Sequence, residues 1–140
     1  MIFQTKIFIP FHLVDAAGVL FFSHSFTLAH MAFEQFITEN LDIPWACWFQ
    51  NSEWVVPIKS AEADYLHPLL AGQICTIKIQ VIEVRQSSFV LDYLVIQNAV
   101  ECCKMKTLHV FCNRPPNKKM AIPQVIKTQL EALAMPLLVE

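Results

Sequence analysis

The chain has 140 residues, with 10 Lys and Arg against 12 Asp and Glu, and a net charge of -2 offers no general attraction to nucleic acid. Hydrophobic residues make up 55% of the chain and charged residues 16%, against roughly 45–50% and roughly 25% in ordinary soluble domains, so a homodimer or homotetramer is expected to cover the apolar surplus. No apolar run reaches the roughly 18 residues of a membrane span, and five cysteines without a Cys-x-x-Cys argue against a disulfide framework and against a zinc knuckle.

These numbers predict a single domain over residues 1–140, cytoplasmic, with reduced and mostly buried thiols. The Met1 to Phe11 segment alternates instead of showing a charged start and an apolar block, so it does not read as a signal peptide.

Along the chain, Phe3 to Ile9 alternates as a half-buried strand. From Phe22 the apolar residues recur as Phe22, Phe26, Ala29, Phe33, Phe36 and Ile37, one face of a long helix that fades at Glu39-Asn40. An irregular, Trp-containing stretch runs from Asp42 to Glu53. Four strand-like segments follow, Trp54 to Tyr65, Ile74 to Val84, Ser88 to Gln97 and Glu101 to Cys112. The short polar breaks between the last three suit antiparallel hairpins, since parallel neighbours need long crossovers. Pro123 to Leu133 reads as a closing helix entered at a proline. One strand, one long helix and a run of antiparallel strands is an α+β arrangement in which the helix covers one face of the sheet.

The run Val14-Asp15-Ala16-Ala17-Gly18-Val19-Leu20-Phe21-Phe22 stands before the long helix and carries the strongest chemical signal. A helix N-terminus has unpaired N–H groups and a positive dipole end, which favour an anion or polarise a carbonyl oxygen placed there. One short stretch can thus supply both a carboxylate and an oxyanion site. The bland alternative is a turn or cap aspartate that accepts backbone N–H bonds. Gly18 serves either a backbone conformation with positive φ or a close approach of substrate.

Asp15-Ala16-Ala17-Gly18-Val19, the two aromatics after it, and a helix carrying His30, Ala32, Phe33 and Glu34 resemble the opening of the 4-hydroxybenzoyl-CoA thioesterase family of hotdog-fold proteins. Ala61-Glu62-Ala63-Asp64-Tyr65, Pro68 and Gly72 look like that family's second strand and turn. Within the family the chain is most similar to the 1,4-dihydroxy-2-naphthoyl-CoA thioesterases of phylloquinone synthesis. The resemblance implies a hotdog fold, an antiparallel β-sheet wrapped around one long central α-helix. It also implies that two units pair into a continuous sheet with sites at the subunit interface.

The implied activity is hydrolysis of an acyl-CoA thioester, with coenzyme A a part of the substrate and no further cofactor. By the resemblance Asp15 either attacks the acyl carbon or acts as general base for a water, and the oxyanion donor falls on the backbone N–H of Phe22. A related subgroup carries a histidine at that position, and Phe22 rules out an equivalent imidazole. The chemistry asks little more, because a thiol with a pKa near 8.5 departs readily as thiolate near neutral pH.

Other candidates stand further out. Phe21, Phe22, Phe26 and the Trp45/Trp48/Trp54 set offer material for a flat acyl pocket or for plain core. His24 and His30 lie within two turns of the presumed site, as acyl contacts or as structural histidines. Glu34 falls at the edge of the apolar face, a solvated flank or a helix carboxylate base, and Glu62 and Asp64 share one strand face, which favours structural pairing. Arg114, Lys118 and Lys119 cluster in a Pro-broken loop that can hold coenzyme A phosphates or be merely solvated. The five histidines show no metal spacing, and no metal is expected.

Two further functions share this fold: a non-catalytic acyl-CoA-binding module, against which a carboxylate at position 15 speaks, and a dehydratase, whose histidine and carboxylate constellation is not found.

Overall fold

The computed structural model describes residues 2–115 and 117–134. Strand β1 (Phe3–Phe8) is followed by a single 3₁₀ turn at Phe11–Leu13 and by helix α1 (His24–Gln35), which runs on through a π-helical turn at Phe36–Asn40. A short helix α2 (Trp45–Phe49) and a two-residue strand β2 (Trp54–Val55) lead into strands β3 (Ile58–Tyr65), β4 (Ile74–Val84), β5 (Ser88–Gln97) and β6 (Val100–Val110). Strand β7 (Cys112–Asn113) and helix α3 (Gln124–Ala134) close the described chain.

Five strands form one antiparallel sheet in the order β1-β4-β5-β6-β3, and β2 pairs with β7 in a separate two-stranded ladder. The β5–β6 hairpin turns on Asn98 and Ala99, both with positive φ (54° and 62°). That pair of left-handed residues matches the twist of the flanking strands. Alternation sets the faces: Cys75, Ile77, Ile79 and Val81 of β4 point inward with Phe89, Leu91, Tyr93 and Val95 of β5.

Helix α1 lies on that inner face. Its buried residues are Ser25, Leu28, Ala29, Ala32 and Phe33, continued by Phe36 and Ile37. Phe36 meets Phe3 of β1 edge to face and Phe33 stacks on His109 of β6, so one helix reaches across the sheet. Helix α3 packs on β4 through Ile126 and Leu130, and Gln129 Nε2 donates to the Leu41 carbonyl at 2.9 Å. A long helix on one face of an antiparallel sheet is the α+β arrangement the pattern predicts, and the sheet wrapped around that helix is the hotdog fold the resemblance implies.

Several boundaries differ from the sequence reading. The helix begins at His24 and its buried face at Ser25, because Phe21 and Phe22 are 44% and 63% exposed and belong to the turn before it. The run from Trp54 to Tyr65 is two strands, since Pro57 has no N–H to give a ladder and β2 turns away to meet β7. The Asp42–Glu53 stretch contains α2, too short for a periodic signal. The closing helix turns Ile126 and Leu130 inward with Leu133 packed beside the core, while Val125 is 75% exposed. Of the five thiols, Cys75, Cys102, Cys103 and Cys112 are buried, Cys47 is exposed, and all are free.

Candidate active site

The segment from Leu13 to Phe21 folds back on itself as a narrow hairpin. Val14 bridges Leu20, Asp15 N–H donates to the Val19 carbonyl at 2.9 Å, and Phe21 N–H donates to the Leu13 carbonyl at 3.0 Å. Gly18 closes the tip with φ +79°, and a Cβ there would meet nothing within 4 Å. Its role in the fold is therefore the left-handed backbone and not close packing.

The hairpin is tied to the sheet from the far side. Val19 bridges Leu70, and Leu20 N–H donates to the Leu69 carbonyl at 2.8 Å. Gln97, buried at the end of β5, holds Leu70 from both sides, accepting its N–H at 2.8 Å and donating to its carbonyl at 3.0 Å. A loop that carries Asp15 is thus held by a buried amide.

Asp15 itself is exposed, and its Oδ1 accepts from Ala17 N–H at 2.9 Å and Val19 N–H at 3.3 Å. These are bonds within its own turn, and the helix starts nine residues further on. Among the described residues Oδ2 has no hydrogen-bond partner. One carboxylate oxygen orients the group and the other is free to act.

At the base of the hairpin, the Phe22 carbonyl accepts from Ser25 N–H at 3.2 Å, Ser25 Oγ at 2.8 Å and Tyr65 Oη at 2.7 Å. The Phe22 N–H has no acceptor among the described residues. The rings of Phe21 and Phe22 lie 5.0 Å apart, with the His24 ring 6.1 Å from Phe21. His24 Nδ1 is 3.4 Å from Thr27 Oγ1. Asp15, Gly18, Phe21, Phe22 and His24 are therefore gathered on one hairpin and the start of α1.

Beside Phe22 opens a cleft of about 360 Å³ between Val19, Tyr65, Leu66, Pro68 and Cys102. Cys102 forms part of the apolar wall of this cleft, and burial pushes its thiol up, away from the reactive thiolate. A larger concavity of about 400 Å³ lies on the outer sheet face, lined by Lys78, Lys104, Lys106, Glu62, Asp64 and Asp92. Its charged walls suit no apolar acyl group. There Glu62 stands opposite Lys106 and Asp64 opposite Lys104 in the β3–β6 ladder, the cross-strand placement their shared face predicts.

Other candidates are elsewhere. Trp48 and Trp54 are core, 4% and 8% exposed, set edge-on or tilted against Phe89 and Phe111. Trp45 stacks on Phe49 and donates to Glu34 Oε1 at 2.9 Å, while Glu34 Oε2 meets His30 Nδ1 at 3.0 Å. The tryptophans thus stand apart from Phe21 and Phe22, because β2 carries Trp54 to the Ile58 end of β3 and Phe22 is bonded at the Tyr65 end. Glu34 is engaged in fixing α2 to α1. Lys118 and Lys119 are exposed on a loop held by Asn113 N–H to the Lys118 carbonyl at 2.8 Å and a bridge from Cys112 to Lys119, also at that far end. No group of three metal-ligating side chains occurs among the described residues.

Comparison with known proteins extends the geometry. The family model described as the thioesterase-like superfamily matches residues 9–130. A 1,4-dihydroxy-2-naphthoyl-CoA hydrolase of Microcystis aeruginosa is 30% identical over 120 residues, 86% of this chain and 86% of that one. The protein of that name from Synechococcus elongatus is 27% identical over 133 residues, 94% of this chain and 97% of its own. Among solved structures, a 1,4-dihydroxy-2-naphthoyl-CoA thioesterase from Synechocystis superposes with a TM-score of 0.86 at 22% identity, covering 97% of this chain and 100% of its own.

Proposed function

From a chain that belongs to the thioesterase-like superfamily and has its hotdog fold, we propose an acyl-CoA thioester hydrolase whose substrate is an aryl ester of the 1,4-dihydroxy-2-naphthoyl-CoA type. The products are the free acid and coenzyme A. The observation that carries this reading is the hairpin that holds a half-free carboxylate at Asp15 and an unengaged N–H at Phe22 on one rigid support.

Asp15 Oδ2 either attacks the acyl carbon, giving a mixed anhydride that water then opens, or takes a proton from the water that attacks. In both routes the carbonyl oxygen gains negative charge beside the Phe22 N–H, and the C–S bond breaks to release coenzyme A thiolate. Phe21 and Phe22 present flat apolar surface to an aromatic acyl group, with His24 at the same rim.

The basic loop serves this site only through a second copy. Strand β3 is an edge, pairing among the described residues with β6 alone, and most of its residues are exposed. Tyr65 at one end meets Phe22, whereas Ile58 at the other adjoins the Arg114–Lys119 loop, about 23 Å away at 3.3 Å per strand residue. An isologous pair joined antiparallel through β3 sets the Ile58 end of one copy against the Tyr65 end of the other. The Lys118 and Lys119 of the second copy then approach the substrate's phosphates. A homodimer, or a tetramer of such pairs, is the state this requires; no described helix is long and apolar enough to cross a membrane.

The test is release of thiol from a panel of CoA esters. The reading predicts higher kcat/KM for 1,4-dihydroxy-2-naphthoyl-CoA and other aryl esters than for linear short-chain esters. Binding of all of them without turnover would instead identify an acyl-CoA-binding module.

A further inference from the structure

Ser25 and Tyr65 meet at one backbone oxygen although they are 40 residues apart, Ser25 in the first turn of α1 and Tyr65 at the end of edge strand β3. Both hydroxyl oxygens lie within hydrogen-bond distance of the Phe22 carbonyl, and they are 2.8 Å from each other. Three contacts share two hydroxyl protons. At least one hydroxyl therefore donates to the carbonyl, and the other donates to the carbonyl or to its neighbour.

The preceding residue is fixed as well, by Phe21 N–H on the Leu13 carbonyl at 3.0 Å. The free Phe22 N–H shares one rigid peptide plane with the Phe21 carbonyl, which accepts from His24 N–H at 2.9 Å, and it is thus flanked by two fixed groups, that carbonyl before it and the Phe22 carbonyl after it. A donor aimed at developing charge is effective to the extent that it needs no reorganisation during the reaction.

We infer that Tyr65 and Ser25 are positioning residues for hydrolysis, clamping the Phe22 carbonyl so that the Phe22 N–H stays aimed at the thioester oxygen. This rests on the thioesterase reading and on the Phe22 N–H as oxyanion donor. Ser25 is 1% exposed, so its hydroxyl is reserved for this contact, whereas Tyr65 is 51% exposed and also walls the cleft beside Phe22. The clamp joins the start of the helix to the sheet edge that the second copy would occupy. Two copies pairing through β3 would therefore also steady the oxyanion donor.

The test uses the full chain and the variants Tyr65→Phe and Ser25→Ala, each of which removes one hydroxyl with little change of shape. Each should lower kcat about tenfold on an aryl CoA ester, with KM within about twofold; the ceiling is the 10²–10³ lost when an oxyanion donor is removed outright. The double variant should lose less than the product of the two single losses. A trifluoromethyl-ketone analogue of the ester, whose hydrate mimics the tetrahedral intermediate, should lose affinity in step with kcat, and free coenzyme A should not. Fold loss alone does not produce that split.

If kcat stays within twofold in both variants while Asp15→Asn abolishes turnover, the clamp is refuted and the thioesterase reading stands. If the unmodified protein turns over no CoA ester, that reading fails and the clamp falls with it.

Discussion

The rings of His109 and Phe89 stack with centroids 4.8 Å apart and planes 5° from parallel, and Phe33 covers the other face of the imidazole at 4.6 Å. His109 is fully buried; its Nε2 lies 2.7 Å from Thr107 Oγ1, and its Nδ1 has no partner among the described residues. Burial, and secondarily the charge of His30, holds its pKa down at about 3.

A neutral His109 therefore makes stability depend on pH. The unfolded chain takes up a proton near pH 6.5, but the folded chain does not until about pH 3, so the contribution is complete above pH 6.5 and is lost as pH falls from there toward 3. The expected slope is on the order of 1 kcal/mol per pH unit. Urea unfolding at pH 7 and pH 5 measures it. His109→Phe, which keeps the stack, should flatten the difference; an equal slope in the variant would place the acid sensitivity elsewhere.

Trp48 is core and not acyl pocket, packed against Phe33, Trp54, Phe89 and Phe111. Trp48→Ala should cost about 3–5 kcal/mol of stability, while the KM of the protein that remains folded changes little. A variant of ordinary stability with a raised KM would return the tryptophan to the pocket.

Gly18→Ala should destabilise the Asp15 hairpin by about 1–2 kcal/mol, the cost of a Cβ in the left-handed region, because open space around the position leaves backbone strain as the only penalty. Gly18→Asn should cost less, since Asn tolerates that conformation. Thermal midpoints of the two variants order them; equal losses would mean that side-chain volume matters after all.

Site sharing between copies predicts complementation. Lys118→Ala with Lys119→Ala should raise KM and spare kcat, and Asp15→Asn should abolish turnover. If the basic loop serves the other copy's Asp15, mixing the two defective proteins under exchange should give heterodimers with one intact site each, about a quarter of all sites. Recovery of low-KM activity marks the shared site, and no recovery marks a loop that serves its own chain or none.

The sheet was legible where burial is one-sided and continuous. Ile74–Val84 and Ser88–Gln97 fall where strand-like runs between polar breaks predict them, and the Asn98-Ala99 turn joins strands whose polar break already pointed to a hairpin. Misreadings arose where one local signal hid another. Phe22 has the helical spacing but stands in the turn before α1, and Trp54 to Tyr65 is uniformly strand-like although Pro57 divides it. In the candidate site, Asp15, Gly18 and Phe22 are written in one local run. The Tyr65 hydroxyl on the Phe22 carbonyl spans 43 residues and has no period to betray it. The same holds for His109, whose neighbours Phe33 and Phe89 come from a helix and another strand.

The most direct test of the account is turnover of 1,4-dihydroxy-2-naphthoyl-CoA by the protein and by Asp15→Asn, with coenzyme A ester binding measured alongside. A loss of at least about a hundredfold in kcat with binding retained is the predicted result. Undiminished turnover in the variant would contradict the placing of the reaction at the Asp15 hairpin.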